Sequence, residues 1–179
     1  MRIISGKYRG RHIVPPKNIK ARPTTDFAKE ALFNLLANRI DFEGLDVLDL
    51  FAGTGGISLE FVSRGANHVT SVEIANVQQN FIIRTSKELQ ITNLDVIRGD
   101  VFRFIKNTAL KFDFIYADPP YALPQLTTIP DLIFDYGLLK ENGMFVLEHS
   151  ASDDFSAHPY FTEHRNYGSV NFSFFKPLQ

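Results

Sequence analysis

From residue 46 onward, apolar segments alternate with segments of helical periodicity, and this alternation limits the fold more than any other feature. The apolar segments predict strands at 46–51, 68–73, 94–98, 112–117 and 144–149. Helices are predicted between them, near 56–64, 76–89, 101–107 and 128–136, with Gly65 and Gly137 where C-terminal caps belong. Nearly continuous apolar strands separated by helices indicate an α/β fold with a parallel sheet that helices cover on both faces.

The two ends of the chain depart from this alternation. Near the C-terminus, apolar segments at about 160–165 and 170–175 are joined by only "NYGS", which is too short for a parallel crossover and predicts an antiparallel pair. Before residue 46, "TTDFAKEALFNLLANRI" predicts a helix. Its candidate caps are Thr24, Thr25 and Asp26, and its apolar residues at helical spacing are Phe27, Ala31, Leu35 and Leu36.

Residues 1–22 are strongly basic, whereas the rest of the chain is acidic. This segment has no Asp or Glu and holds seven of the 19 Lys and Arg residues, which leaves 12 basic against 20 acidic residues elsewhere. A basic arm is the pattern expected of a contact with nucleic acid; a solvated surface hairpin is the alternative. Alternation around Gly6 and Gly10 predicts short strands. We treat 1–22 as an extension of a single domain that continues through 23–179.

Several classes of protein are disfavoured by the composition. The chain has no cysteine, so it can form neither disulfides nor thiolate metal sites. Its five histidines show no ligand spacing, and we therefore do not expect a metal enzyme. No apolar run is long enough to span a bilayer, and the first ten residues lack the apolar core of a signal peptide. We expect a cytoplasmic protein without a membrane partner.

A glycine loop in "VLDLFAGTGGISLE" lies directly between the first predicted strand and the following helix. Gly53 and Gly55 allow a bound group to approach the backbone, although tight strand–helix packing alone can also require glycine. A dinucleotide fingerprint would have a third glycine where this chain has Ser58. Asp49, four residues before Gly53, favours a ligand with a cationic amino acid moiety over a phosphate, unless it only binds N–H groups of the loop.

Two further acidic residues follow the next two strands. Glu73 ends the second predicted strand, where a carboxylate can accept hydrogen bonds from ribose hydroxyls, or can simply be solvated. Asp100 follows the third strand, where it can accept from an adenine amino group or cap the helix that begins at Val101. Acidic residues at three successive strand ends favour one shared cofactor site over three separate structural roles.

The tetrapeptide "DPPY", from Asp118 to Tyr121, ends the fourth predicted strand beside this crevice. The exocyclic amine of a nucleobase is a poor nucleophile, because its lone pair is delocalised into the ring. Acceptors on both of its N–H groups favour a more tetrahedral nitrogen, and the Asp118 side chain and the Pro119 carbonyl can supply them. Tyr121 offers a face for an unstacked base. The alternative is a tight strand exit.

These motifs resemble known methyltransferases. The spacing D-x-x-x-G-x-G from Asp49 to Gly55 resembles motif I of S-adenosylmethionine-dependent methyltransferases, and "DPPY" resembles the [D/N]-P-P-[Y/F] hallmark of enzymes that methylate amino groups of bases. Nearly the whole chain resembles the RsmD family, which methylates N2 of one guanine in small-subunit (16S) ribosomal RNA. The resemblance is carried by "RIISGKYRGR", "RPTTDFAKEALFNLL", "LDLFAGTGGISLEFVSRGA", "YADPPY" and Tyr167-Gly168; Ser5 and Phe27 depart from the family's usual glycine and arginine.

The resemblance implies a Rossmann-like class I methyltransferase fold, with a seven-stranded, mostly parallel sheet whose last strand inserts antiparallel. It implies that S-adenosylmethionine binds at Asp49, Phe51, Ala52, Gly53, Thr54, Gly55, Glu73, Asp100 and Val101. The target guanine would bind at Asp118, Pro119, Pro120 and Tyr121, and the RNA would contact Arg2, Lys7, Arg9, Arg11 and Arg22. The implied protein is a monomer that acts on ribosomal RNA, within the small subunit or an assembly intermediate.

Three other functions remain open at this point. An adenine-N6 methyltransferase on DNA or RNA would use the same tetrapeptide. A non-catalytic RNA-binding assembly factor could keep the fold without the reaction, although the intact motifs disfavour it. A nucleotide-dependent oxidoreductase is disfavoured by Ser58 and Asp49. The segment 122–130 could either close over the substrate or be a passive loop.

Overall fold

The structure, a computed structural model, describes residues 1–19 and 25–179. Its helices are α1 (Asp26–Ala37), α2 (Gly56–Ser63), α3 (Asn76–Glu88), α4 (Val101–Asn107) and α5 (Ile129–Asp135), the last preceded by a 3₁₀ turn at Leu126–Thr128. Its strands are β1 (Asp46–Leu50), β2 (His68–Glu73), β3 (Leu94–Arg98), β4 (Phe112–Ala117), β5 (Leu139–His149), β6 (Phe161–Tyr167) and β7 (Val170–Phe175).

The strands form one seven-stranded sheet in the order β3-β2-β1-β4-β5-β7-β6. The first five strands pair in parallel, and β7 lies antiparallel between β5 and β6. The predicted α/β architecture and the antiparallel insertion of the last strand are therefore confirmed. The chain order reverses at β1, since β2 lies on one side of it and β4 on the other, and this is where such folds open a ligand crevice.

The fifth strand is longer than the predicted 144–149. It begins at Leu139, which pairs with Phe112, and its register then shifts so that Met144 pairs with Phe114. The polar residues between these two pairs interrupt the apolar run, so the sequence pattern did not predict the first half of the strand. Apolar side chains pack on both faces of the sheet, as predicted.

The buried face of α1 differs from the predicted one. Ala28, Leu32, Phe33 and Leu36 are buried, whereas Phe27 is 65% exposed. Of the predicted apolar residues, Leu36 is buried as expected, whereas the row of Phe27, Ala31 and Leu35 lies beside the row that packs against the sheet. Of the three candidate caps, Thr25 caps the helix, because its side chain accepts from the Ala28 N–H at 3.1 Å. Thr24 lies outside the described residues.

The N-terminal arm folds back on itself as predicted, in an antiparallel pairing too short to form regular strands: the Ile3 N–H donates to the Arg11 carbonyl at 3.1 Å and the Ile13 N–H to the Met1 carbonyl at 2.9 Å. A single antiparallel bridge joins Arg2 to His12. The arm is also bound to α2, where Glu60 accepts from the N–H groups of Ile4 and Ser5 at 2.9 and 3.1 Å. A Cβ on Gly6 would lie 1.8 Å from the Ser63 carbonyl oxygen, so only glycine allows this close approach.

Candidate active site

The loop between β1 and α2 has a backbone that few sequences can adopt. Phe51, Gly53 and Gly55 all have positive φ values, of 60°, 57° and 81°. A Cβ on Gly55 would lie 2.9 Å from the Ile82 side chain, so packing against α3 accounts for this glycine. At Gly53 the nearest described heavy atom would be the Phe51 carbonyl oxygen at 4.0 Å, so the space above Gly53 is open. Packing therefore accounts for Gly55, whereas at Gly53 the positive φ alone favours glycine and the space above it stays open.

Asp49 is held by the first turn of α2. Its Oδ2 accepts from the Ser58 N–H at 3.1 Å and from the Ser58 hydroxyl at 2.5 Å, and the hydroxyl also contacts Ser71 Oγ at 2.6 Å. Burial raises the pKa of Asp49 to about 7 although the bonds from Ser58 oppose this. Ser58 therefore departs from the dinucleotide fingerprint for a physical reason: its side chain binds the buried carboxyl.

Glu73 fixes the glycine loop to the end of β2. Its Oε2 accepts from the Gly53 N–H at 2.7 Å, and its Oε1 accepts from the Ala75 N–H at 2.9 Å. The side chain is buried, which rules out the alternative of a merely solvated strand end. A carboxylate with both oxygens held by backbone donors is preorganised to accept further hydrogen bonds from a ligand.

Asp100 caps α4, since its Oδ1 accepts from the Arg103 N–H at 2.9 Å. Neither Asp100 nor Val101 is among the described residues that line the cavity discussed below. The capping role is therefore confirmed for Asp100, and a contact of either residue with a cofactor stays a prediction.

One cavity of about 510 Å³ joins the glycine loop to the tetrapeptide at the end of β4. Of the predicted site residues it is lined by Asp49, Phe51, Ala52, Gly53, Thr54, Glu73, Asp118, Pro119, Pro120 and Tyr121. It also contains residues that the sequence analysis missed: Met1, Thr25, Ala28, Lys29, Gly56, Ile57, Ile74, Tyr116, Glu148, Ser169 and Val170. The predicted cofactor half and the predicted base half thus share one enclosure.

The base half is built around Glu148, near the end of β5. Its Oε2 accepts from the Tyr116 hydroxyl at 2.6 Å, and its Oε1 accepts from the Tyr121 hydroxyl at 3.0 Å. Burial and the nearby carboxylates raise the pKa of Tyr116 well above its usual value, so this phenol remains a donor. Tyr121 remains 41% exposed, which leaves part of it accessible from solvent. The sequence feature that could have identified Glu148 is its position near the carboxyl end of an apolar strand, a position that Asp49 and Glu73 also have.

Lys29 connects α1 with the arm and the cavity. Its Nζ donates to the Arg2 carbonyl oxygen and lies 3.8 Å from Glu60 Oε2. Burial lowers the pKa of Lys29, with Glu60 acting against this shift. Glu60 also accepts from Arg64 Nε at 2.9 Å, so the buried carboxylate neutralises two cations.

Four of the predicted RNA-contacting side chains, Arg2, Lys7, Arg9 and Arg11, are exposed. None forms an ion pair with an acidic side chain in the described part of the chain. Arg22 lies outside residues 1–19 and 25–179, so its position is not described.

Residues 1–19 and 25–179 hold neither a metal cluster nor a membrane-spanning helix. No cluster of three or more His, Asp or Glu side chains in these ranges is arranged to hold a metal ion. No helix within them combines the length and apolar character that a membrane span requires.

The chain is similar in sequence to a protein family and to named proteins. The family described as "Conserved hypothetical protein 95" matches residues 1–176. The Bacillus subtilis protein named rRNA methyltransferase YlbH is 37% identical to this chain, over 83% of this chain and 82% of its own length. Ribosomal RNA small subunit methyltransferase D of Escherichia coli is 32% identical over 83% of this chain and 74% of its own length.

Solved structures extend the similarity to the complete fold. The Escherichia coli protein yhhF superimposes with a TM-score of 0.86 at 28% identity, covering 100% of this chain and 99% of its own. TTHA0928 of Thermus thermophilus also gives 0.86, at 26% identity, over 99% of both chains. With a family match along nearly its entire length, the chain belongs to the RsmD family of S-adenosylmethionine-dependent methyltransferases.

Proposed function

We propose that this protein transfers a methyl group from S-adenosylmethionine to the exocyclic N2 of a guanine in small-subunit ribosomal RNA. The observation that carries the proposal is the single cavity that holds both the glycine loop with Asp49 and Glu73 and the tetrapeptide from Asp118 to Tyr121. The relatives named small subunit methyltransferase D support ribosomal RNA as the substrate.

The cofactor half of the cavity fits S-adenosylmethionine. Asp49 is a buried carboxyl that lines the same cavity as Gly53, which suits a cationic amino group. Glu73 is a preorganised acceptor, which suits ribose hydroxyls. A buried carboxyl repels a phosphate, so a dinucleotide fits this site less well. The cofactor supplies an electrophilic methyl group on a sulfonium.

The base half supplies alignment. Asp118 follows β4, and its backbone N–H donates to the Leu50 carbonyl oxygen at 3.4 Å, which ties the tetrapeptide to β1. Pro119 and Pro120 restrict the backbone on either side of the Pro119 carbonyl. The Asp118 carboxylate and that carbonyl accept from the amino group, which favours a tetrahedral nitrogen whose lone pair points along the line of attack. Tyr121 stacks on the unpaired base.

The arm supplies the electrostatic contact with RNA. Arg2, Lys7, Arg9 and Arg11 are exposed, while the backbone of the arm is fixed to α2 by Glu60 and the α2 residue Ser63. Rigidly placed cations position a phosphate backbone without reading its sequence. Met1 of the arm lines the cavity, and so does Lys29 of α1, which donates to the Arg2 carbonyl of the arm. The RNA contact therefore lies close to the reacting groups.

Methyl transfer from labelled S-adenosylmethionine to unmodified small subunits, and in parallel to their extracted RNA, tests the proposal. Nucleoside analysis of the product should show N2-methylguanosine, and the better substrate shows whether the enzyme acts on RNA or on a particle. N6-methyladenosine would instead establish the adenine alternative. Cofactor binding without incorporation into either substrate would favour the assembly-factor alternative.

A further inference from the structure

The neighbouring strands β4 and β5 bring two carboxylates side by side. Ala117 pairs with Leu147 in the parallel register, so Asp118 and Glu148 occupy the next position on the two strands. Neighbouring strands lie about 4.8 Å apart, and side chains at the same register position project to the same face. Both side chains line the cavity, and both act electrostatically on Tyr116.

Glu148 is bound by different groups from those that bind the carboxyls beside the glycine loop. The carboxyls on the loop side, Asp49 and Glu73, bind backbone N–H groups there, whereas Glu148 is held by two phenol hydroxyls on the base side. It is only 6% exposed. Two O–H donors satisfy this buried carboxyl group and fix its orientation. An ionised carboxylate has about four acceptor sites, and the two hydroxyls donate to different oxygens.

A pair of adjacent carboxylates matches one base edge. Guanine presents two neighbouring donors on its Watson–Crick edge, N1–H and the N2 amino group, whereas adenine presents its N6 amino group beside an N1 acceptor. If the Asp118 carboxylate accepts from the amino group, the neighbouring Glu148 carboxylate faces N1 of the base. A carboxylate there accepts from the N1–H of guanine and repels the N1 lone pair of adenine.

We propose that Glu148 is the specificity-determining residue of this site and that it selects guanine by accepting a hydrogen bond from N1–H. This inference rests on the proposed function, because it assumes that the guanine whose amino group binds Asp118 lies in this cavity with its N1–H toward Glu148. Tyr116 is a positioning residue, since it acts on the base only through Glu148. Tyr121 has two roles: its ring carries the base and its hydroxyl orients the carboxylate.

The test compares two RNAs that differ at the methylated nucleotide. The target guanosine is first mapped in the wild-type reaction, and matched small-subunit RNAs are then assembled with guanosine or 2-aminopurine riboside at that position. 2-Aminopurine keeps the 2-amino group and lacks N1–H. We expect the wild-type kcat/KM to favour guanosine by at least about tenfold, because a hydrogen bond to a charged group is lost.

Variants separate the loss of N1–H from the accompanying loss of O6. Glu148→Gln keeps the side-chain shape but leaves a neutral acceptor, and Glu148→Ala removes the acceptor. Both variants should therefore reduce the preference for guanosine to about threefold or less. The matched control is Glu141→Gln, which removes an exposed carboxylate from the same strand and should keep the wild-type preference. Unchanged S-adenosylhomocysteine affinity confirms that each variant is folded.

Equal use of guanosine and 2-aminopurine by the wild-type enzyme would overturn the inference without any variant. A full preference for guanosine in both Glu148 variants would also overturn it. If wild-type enzyme methylates no guanosine in any RNA or particle, the proposed function itself fails, and the inference falls with it.

Discussion

The Gly53 N–H donates to Glu73 Oε2 at 2.7 Å, and this bond ties the glycine loop after β1 to the end of β2. The loop therefore does not hold its conformation by glycine content alone. The positive φ of Phe51, which is unfavourable for a bulky residue, persists because the residues on either side are fixed. Glu73 thus holds the loop, and we propose that it also binds the cofactor.

Replacing Glu73 with Gln should weaken cofactor binding. Gln keeps the shape but loses the charge that strengthens the bond to Gly53, and it can accept on one side only. We expect the dissociation constant of S-adenosylhomocysteine, measured by calorimetry, to rise by roughly tenfold or more. Glu88→Gln, an exposed change on α3, is the control and should leave the constant unchanged. Unaltered affinity in Glu73→Gln would contradict the role assigned to this carboxylate.

Cofactor affinity should depend on pH through Asp49, whose pKa burial raises to about 7. A cationic amino group favours the ionised carboxyl. Below pH 7 the carboxyl is protonated and must lose its proton on binding, so affinity should fall by up to about tenfold per pH unit as pH decreases from 7. Above pH 7 this dependence should level off.

Calorimetry between pH 5.5 and 8 measures this dependence, and buffers of different ionisation enthalpy reveal the released proton. The Asp49→Asn variant should bind more weakly and lose the slope below pH 7. A slope that persists unchanged in Asp49→Asn would assign the titration to another group.

Removing Glu60 should destabilise the protein far more than removing Lys29. Glu60→Ala leaves the buried Lys29 without its carboxylate and the N–H groups of Ile4 and Ser5 without acceptors, which should cost about 3 kcal/mol or more. Lys29→Met replaces a buried cation by an apolar chain and leaves Glu60 with Arg64, Ile4 and Ser5, so we expect a change within about 1 kcal/mol. Urea unfolding of both variants measures the difference, and equal losses would contradict this ordering.

The arm should contribute to RNA binding mainly through charge. Neutralising Arg9 and Arg11 to Gln should weaken RNA binding and lower the slope of log affinity against log salt by roughly 1.5, if each arginine contacts one phosphate. The matched control neutralises Lys87 and Lys106, two exposed lysines on α3 and α4. Filter binding at several salt concentrations gives both slopes. The same loss in both double variants would mean that net charge, and not the arm, governs binding.

The sequence predicted most of the strands well, because they depend on local pattern. Asp49 and Glu73 were recognisable as acidic residues at the ends of apolar strands, and the tetrapeptide at Asp118 as a rigid strand exit. Glu148 has the same local pattern, but its importance depends on β5 lying beside β4. The adjacency of β4 and β5 is set by the order of strands in the sheet, which a local sequence pattern does not predict.

The buried face of α1 and the arm could not be predicted for a related reason. Phe27 and Phe33 both lie on rows with helical spacing, and only contact with the sheet decides which row is buried. The arm shows alternation typical of strands and its ends do pair antiparallel, but at Ile4 and Ser5 the N–H groups donate to Glu60 on α2. Lys29 shows no sign of burial in the sequence, because the carboxylate that permits it lies far along the chain.

The most direct test of the account measures turnover and cofactor binding together in Asp118→Ala. Asp118 lines the base half of the shared cavity, and the cofactor contacts are assigned to Asp49, Gly53 and Glu73 on the other half. The account predicts that methyl transfer to guanosine is abolished while the affinity for S-adenosylhomocysteine stays within about twofold of wild type, since no assigned cofactor contact is removed. Retained turnover, or an equal loss of turnover and affinity, would contradict a site divided in this way.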